Sequence, residues 1–141
     1  MDKSRQYIQM CKTSKEIQSL WLAKAGDFYV NSNNKVLCWI PGPDHSPRIK
    51  HGFGIESQGK ITRISPLTWL PKLDQLIYTA QLPKTGIRNI SFIFYEWAKR
   101  PYGRQDEPVN RFFSSLEQMW LAFIMFKKFS KIWHDEMWID L

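Results

Sequence analysis

Residues 114–131 read SSLEQMWLAFIMFKKFSK, and this stretch has the clearest helical pattern in the chain. Ser114 and Glu117 have the spacing of a capping box, in which each side chain bonds the backbone N–H of the other residue. The apolar residues that follow recur with the helical period and form one stripe: Leu116, Met119, Trp120, Phe123 and Ile124. The stretch therefore predicts a helix that begins near Ser114 and buries this stripe in a core.

The chain upstream predicts further helices and two β-hairpins. Residues 4–22 carry apolar side chains at helical spacing, and the capping-box spacing of Thr13 and Glu16 leaves open a break near Thr13. β-prone runs that flank turn-forming residues predict four strands, at residues 27–30, 35–40, 53–56 and 60–64. Pro71 suits the first position of another helix, because that position leaves its N–H unpaired and proline has none.

Residues 89–100 fit two patterns. Some of their apolar residues have helical spacing: Ile90, Ile93, Phe94 and Trp97. The continuous apolar run over residues 92–95 is also typical of a buried strand, and we favour the helix. With a terminal hairpin over residues 132–139, the elements predict an α+β fold. This fold has an antiparallel sheet of about four or more strands packed against two to four helices, in a single domain over residues 1–141.

The composition is that of a globular protein with an excess of aromatic and basic residues. Of its 141 residues, 43% are hydrophobic and 15% are aromatic, so most rings must lie in a core. We assign Trp21, Trp69 and Trp120 to that core, and Trp39 and Trp97 to its rim. The formal net charge of +7 favours anionic partners, although it also suits an ordinary soluble domain. With no apolar signal segment or membrane-span pattern, a cytoplasmic protein without a membrane partner is expected.

No known catalytic, metal-binding or cofactor-binding motif is recognised in the sequence. The candidates for acid–base or metal chemistry are three histidines, none of which has a partner at metal-ligand spacing: His45, His51 and His134. An unfamiliar active site would need one of them to converge with a carboxylate. We therefore expect a protein that is not an enzyme and has no cofactor or metal.

Two groups of basic and aromatic residues are candidate ligand-binding sites. The first group lies in and near the second hairpin: Arg48, Lys50, Phe53, Lys60 and Arg63. The second group lies around a polar loop: Trp97, Arg100, Tyr102 and Arg104. Arginine forms bidentate hydrogen bonds with phosphate, and an aromatic ring offers a face on which a base stacks. A nucleotide would be contacted by Arg48, Lys50, Phe53 and Arg104, while a solvated surface is the alternative for either group.

Residues 69–76 read WLPKLDQL and residues 115–125 read SLEQMWLAFIM. In this order, the two stretches resemble signature stretches of a family of small uncharacterised proteins encoded by bacteriophages and prophages. The opening helix and the closing segment at residues 131–139 are also similar to that family, whereas residues 41–60 and 81–112 match nothing in it. The resemblance implies an accessory protein that acts inside a bacterial host cell, where such proteins commonly interfere with host defences or regulate the phage.

These observations lead to two functional hypotheses. The first is a non-enzymatic phage or prophage accessory protein that binds a host factor or defence component, through either a protein surface or a small anionic nucleotide signal. The alternative is a nucleic-acid-binding regulator or replication accessory protein, whose affinity would fall steeply with salt. A homo-oligomer is compatible with both hypotheses.

Overall fold

The computed structural model describes residues 1–39, 48–49, 54–57, 60–63, 67–81, 86–102 and 107–141. The chain forms two compact units, of which one is Lys3–Pro71 and the other is Lys72–Leu141 together with Met1–Asp2. Each unit has buried apolar residues of its own. This division does not test whether the chain folds as one domain, so the single domain over residues 1–141 stays a prediction.

Helices and antiparallel strands both occur in the described residues, as predicted, although the helices there number five rather than two to four. The helices are α1 (Arg5–Thr13), α2 (Lys15–Gln18), α3 (Leu73–Ala80), α4 (Ile87–Ala98) and α5 (Leu116–Phe129). The strands are β1 (Phe28–Val30), β2 (Val36–Cys38), β3 (Arg48–Ile49), β4 (Gly54–Ser57), β5 (Lys60–Arg63), β6 (Thr68–Leu70), β7 (Lys131–His134) and β8 (Met137–Asp140). They form the sheets β2-β1-β6 and β3-β4-β5 and the hairpin β7-β8. Among the described residues, no helix has both the length and the apolar character needed to cross a bilayer.

The break that the sequence left open near Thr13 is confirmed. Ser4 begins α1, because its Oγ accepts a hydrogen bond from the N–H of Tyr7 at 3.2 Å. Ser14 separates α1 from α2, and its hydroxyl donates to the carbonyl of Cys11 at 2.9 Å. This bond satisfies one of the acceptors that the end of a helix leaves unpaired, so a helix can stop there at low cost.

The first sheet is built around β1, which pairs antiparallel with β2 and β6. The pairing of β1 with β2 confirms the first predicted hairpin. The edge of β6 that faces away from β1 is hydrogen-bonded to the side chain of Gln18. Gln18 Nε2 donates to the carbonyl of Trp69 at 3.0 Å, and Gln18 Oε1 accepts from the N–H of Trp69 at 2.7 Å. Gln18 thus makes the two hydrogen bonds that a neighbouring strand would make at this position.

The prediction of one sheet with four or more strands is wrong for the described residues, in which no sheet has more than three. The second predicted hairpin is present as β4 and β5, and β3 pairs with the other side of β4. β1 pairs with β2 on one side and with β6 on the other, and the side chain of Gln18 hydrogen-bonds the edge of β6 that faces away from β1. Neither strand therefore offers the second hairpin an edge at these positions.

The unit Lys72–Leu141 begins with α3, which starts at Leu73 rather than at Pro71. The N–H of Lys72 donates to Oε1 of Gln75 at 2.8 Å, so this side chain pairs a donor at the helix start. Lysine at position 72 thus occupies the cap, and the proline lies one residue before it. The helix α4 confirms the helical interpretation that was favoured for residues 89–100.

The helix α5 begins one residue later than predicted. Ser115, not Ser114, is its cap, and Ser115 Oγ accepts from the N–H of Gln118 at 3.1 Å. Leu116 is exposed and Met119 is half-buried, although the sequence pattern placed both in the buried stripe. Gln118, which the stripe did not include, is fully buried. Trp120, Phe123 and Ile124 are buried as predicted.

The predicted terminal hairpin is confirmed as β7 and β8. Its two turn residues, Asp135 and Glu136, have φ angles of 46° and 61°. Two successive positive φ angles define a type I′ turn, whose twist matches that of the flanking strands. Trp133 and Trp138 pair across the hairpin with their ring centroids 5.0 Å apart.

Candidate functional site

The first predicted binding group is only partly within the described residues. Lys50 and Phe53 lie outside them. Arg48 is the first residue of β3, and Lys60 and Arg63 are the two ends of β5. Because β4 pairs with both strands, the backbone brings the segments that carry these three basic residues into one small sheet. Their role in ligand binding stays a prediction.

Of the three residues of the second predicted binding group that the structure describes, two are buried. Arg104 lies outside the described residues, and Arg100 is exposed just after α4. Trp97 was expected at the rim of the core, but only 4% of its surface is exposed. Tyr102 was expected in an open loop, but only 7% of its surface is exposed. Both expected positions are wrong, so neither ring offers a free face to a base. Trp39, also expected at the rim, is buried as well.

Trp97 is buried because it belongs to a group of five rings between α4 and α5, here named the ring cluster. Its ring centroid lies 5.3 Å from that of Phe123 and 6.1 Å from that of Phe126. Phe94 stacks on Trp120 with a centroid distance of 4.1 Å and nearly parallel planes. Since Phe94 and Trp97 are three positions apart, they share one face of α4 and enter the core together.

Tyr102 is held by both its backbone and its hydroxyl. Its N–H donates to the carbonyl of Glu107 at 3.1 Å, and Oη accepts a hydrogen bond from the N–H of Trp133 at 2.6 Å. Its ring contacts Phe112 and Phe113, with centroids 5.3 and 5.4 Å away. Burial raises the pKa of Tyr102 to about 12, against the opposing effect of the hydrogen bond from Trp133.

This pKa predicts a loss of stability at alkaline pH. In the unfolded chain Tyr102 loses its proton near pH 10, whereas in the folded protein it keeps the proton up to about 12. Its stabilising contribution is therefore complete below pH 10 and is lost between these two values, by about 2–3 kcal/mol. Urea unfolding measured across this pH range should show the decline. Tyr102→Phe should reduce the decline, whereas Tyr78→Phe, on the exposed side of α3, should leave it unchanged; equal declines in both variants would contradict the burial of Tyr102.

The exposed side of α4 carries candidate binding residues that the sequence analysis did not single out. Phe92 and Tyr95 have 66% and 57% of their surface exposed, and Arg88 and Lys99 are exposed on the same side. These four residues are spaced by four, three and four positions and so form one stripe along a helix, here named the α4 face. The signal was present in the sequence, because a helix that buries Trp97 must turn Phe92 and Tyr95 outward.

Lys99 is held against its neighbours on the α4 face. Its Nζ lies 3.8 Å from the centroid of the Tyr95 ring and 3.2 Å from Oε1 of Glu96. Hydrogen bonding to Tyr95, and then to Glu96, raises the pKa of Lys99. The ammonium thus covers one side of the Tyr95 ring as a cation–π contact.

Other exposed apolar side chains of this unit form different patterns. Tyr78 is exposed in α3, and Met137, Ile139 and Leu141 alternate in and after β8. Scattered exposed apolar residues are ordinary on protein surfaces, and the β8 row is aliphatic. Aromatic residues and arginine are the types enriched in the centres of protein interfaces. The α4 face is therefore the strongest candidate site.

Of the three histidines that were candidates for acid–base or metal chemistry, His134 lies in the described part of the chain. His134 Nδ1 lies 3.1 Å from Asp135 Oδ2 at the tip of the terminal hairpin, where both side chains are exposed. Such a solvated pair contributes little energy and is common on surfaces. No three His, Cys, Asp or Glu side chains come together as metal ligands within the described part of the chain. His45 and His51 lie outside it.

Comparison of the chain with models of protein families, with curated proteins and with solved structures finds no match. The resemblance to bacteriophage and prophage proteins therefore stays a prediction.

Proposed function

We propose that this protein is a non-enzymatic binding protein and that the α4 face is its contact surface for another protein. The observation that carries the proposal is the exposure of Phe92 and Tyr95 in the middle of a helix whose other two rings, Phe94 and Trp97, pack against α5. Each exposed ring leaves apolar surface in water, and a partner that covers it gains hydrophobic stabilisation. Two adjacent rings on one stripe are the pattern of an interaction hot spot.

The biological setting of the proposal comes from the resemblance of residues 69–76 and 115–125 to phage and prophage proteins. In this setting the partner is a host factor or a component of the host defence, in the cytoplasm of the bacterial cell. A protein surface suits the α4 face better than a small anionic nucleotide does. Nucleotide sites are concave and surround most of the ligand, whereas Phe92 and Tyr95 project from the outer side of a helix.

A second function, nucleic-acid binding in phage regulation or replication, is favoured by one observation. Arg48, Lys60 and Arg63 belong to strands of the same small sheet. If this sheet contacts phosphates, affinity for single-stranded or duplex DNA should fall steeply between low and physiological salt, and Arg48→Ala with Arg63→Ala should reduce that dependence. A band shift at two salt concentrations tests this function separately from the α4 face.

The proposed function predicts that the α4 face selects its partner from a lysate. The immobilised protein, incubated with lysate of a bacterial host, should retain a protein that the double variant Phe92→Ser/Tyr95→Ser does not retain. Both residues are exposed, so the double variant should keep the circular dichroism spectrum of the wild type and change the free energy of unfolding by less than about 1 kcal/mol. Quantitative mass spectrometry measures the retained proteins.

The matched control is Tyr78→Ser, which removes a ring that is 76% exposed but lies in α3. It should retain the same proteins as the wild type. Equal retention by the wild type and the Phe92→Ser/Tyr95→Ser variant would show that the α4 face is not the contact surface.

A further inference from the structure

We infer that the partner of the α4 face is an acidic amphipathic helix, with two carboxylates about three turns apart and apolar side chains between them. This inference rests on the proposed function and adds the chemistry of the partner. Its basis is the order of side chains along the stripe, in which Phe92 and Tyr95 lie between Arg88 and Lys99. An amphipathic helix is one of the recurrent ways in which a segment of one protein covers an elongated apolar surface of another.

The spacing of the α4 face defines a complementary sequence pattern. Arg88 and Lys99 are eleven positions apart, which is roughly 16 Å at the rise of an α-helix. A partner helix that lies along the stripe brings carboxylates beside both cations if they are also eleven positions apart. Apolar residues four and seven positions after the first carboxylate then lie beside Phe92 and Tyr95. This pattern reads the same in both directions, so the partner helix fits in either orientation.

The charges of the α4 face favour an acidic partner over a neutral one. Arg88, Lys99 and the adjoining Arg100 are basic and exposed, and Glu96 is the one acid in α4. Lys99 already contacts Glu96, whereas a partner that covers the rings also removes water from Arg88 and Arg100, which costs free energy unless these two cations are paired. Carboxylates at the ends of the partner supply that pairing and speed the encounter.

The same residues disfavour single-stranded nucleic acid as the partner. A base that stacks on the face of the Tyr95 ring that Lys99 covers must first displace the Lys99 ammonium, which lies 3.8 Å from the ring centroid. Glu96 also lies next to Lys99 and repels a phosphate there.

A second copy of this chain is also disfavoured. In a two-fold symmetric dimer with antiparallel α4 helices, Arg88 of one copy lies opposite Lys99 of the other. Both contacts at the ends of the stripe then join like charges, which opposes association.

The test uses a fluorescent, alanine-rich helical peptide that carries the complementary pattern. The peptide has glutamate at one position, leucine four and seven residues later, and glutamate again eleven residues after the first. Fluorescence anisotropy measures its binding to the whole protein at low salt. We expect the wild type to bind this peptide at least about tenfold more tightly than a peptide with both glutamates replaced by glutamine. Phe92→Ser/Tyr95→Ser should abolish binding of both peptides.

Charge exchange provides the sharper measurement. The variant Arg88→Glu/Lys99→Glu should lose about tenfold or more of its affinity for the acidic peptide and should bind a matching lysine peptide in its place. Arg5→Glu, an exposed charge change at the start of α1, is the control and should leave both affinities unchanged.

Three results would overturn the inference. The first is that the acidic peptide binds no better than the neutral one. This result contradicts an acidic partner but not the α4 face as a contact surface, which the lysate experiment tests separately. The second is binding of oligo-dT that Phe92→Ser/Tyr95→Ser abolishes, since the partner is then a nucleic acid. The third is a dimer in sedimentation equilibrium that the same variant converts to a monomer.

Discussion

Replacing Trp97 by alanine is expected to lower the free energy of unfolding by about 3–5 kcal/mol, because the ring is almost completely buried between α4 and α5. The variant loses the hydrophobic free energy that the wild type gains by burying this large ring. It also leaves a cavity among Phe94, Phe123 and Phe126. Such a loss is a large share of the stability of an ordinary domain. Chemical unfolding followed by far-ultraviolet circular dichroism measures it.

The matched control is Tyr95→Ala, two positions earlier in α4, where the ring is exposed. It should change the free energy of unfolding by less than about 1 kcal/mol, including the loss of the contact with Lys99. If Trp97→Ala does not fold at all, Trp97→Phe should fold with a smaller loss, since phenylalanine fills part of the cavity. A loss below about 1 kcal/mol for Trp97→Ala would contradict the burial of this ring and restore it as a surface residue for binding.

The helices of this protein could be predicted because their signals are local. In α5, serine near the start and apolar residues at the helical period identify the element without any knowledge of its neighbours. The start itself was misplaced by one residue, because Ser114 with Glu117 and Ser115 with Gln118 both have capping-box spacing. Only the surrounding packing distinguishes the two pairs.

The organisation of the sheets could not be predicted from the same signals. The strand β6 covers only Thr68–Leu70, where the sequence predicted no strand. It forms because β1 offers an edge that is distant in sequence, and because Gln18, 51 positions before Trp69, bonds its other edge. Pairings of this kind depend on tertiary contacts rather than on local propensity.

The candidate site shows the same division between local and tertiary information. The group predicted around the polar loop includes Arg100, Trp97 and Tyr102. Arg100 is exposed, whereas Trp97 and Tyr102 are buried. Aromatic residues next to arginine in the sequence are not neighbours of it on the surface, since adjacent positions of a helix point in different directions. Assigning the helical phase of α4 first would have identified Phe92 and Tyr95.

Gln118→Glu is expected to lower the free energy of unfolding by about 2–4 kcal/mol at pH 7, although it changes the shape of the side chain very little. Gln118 is fully buried, and its Nε2 donates to Oδ2 of Asp2 at 2.8 Å and to Oγ of Ser114 at 3.1 Å. Its Oε1 accepts from the N–H of Ser114 at 3.1 Å. A carboxylate can still accept this last bond, but it has no N–H to donate and faces the carboxylate of Asp2 at hydrogen-bond distance.

The pH dependence of this loss separates a charge effect from a packing effect. Burial and the Asp2 carboxylate both raise the pKa of the introduced carboxyl in the folded protein, so the unfolded chain loses this proton at lower pH. The variant is therefore closest to the wild type near pH 4, where the introduced group is protonated and donates to Asp2, and it loses stability as pH rises toward 7. Chemical unfolding at pH 4 and at pH 7 measures this difference. The control is Gln9→Glu, at a half-buried position of α1, which should change the free energy of unfolding little at either pH. An equal loss at pH 4 and pH 7 would show that shape rather than charge determines the cost, and no loss at all would mean that Gln118 does not hold Asp2 at the start of α5.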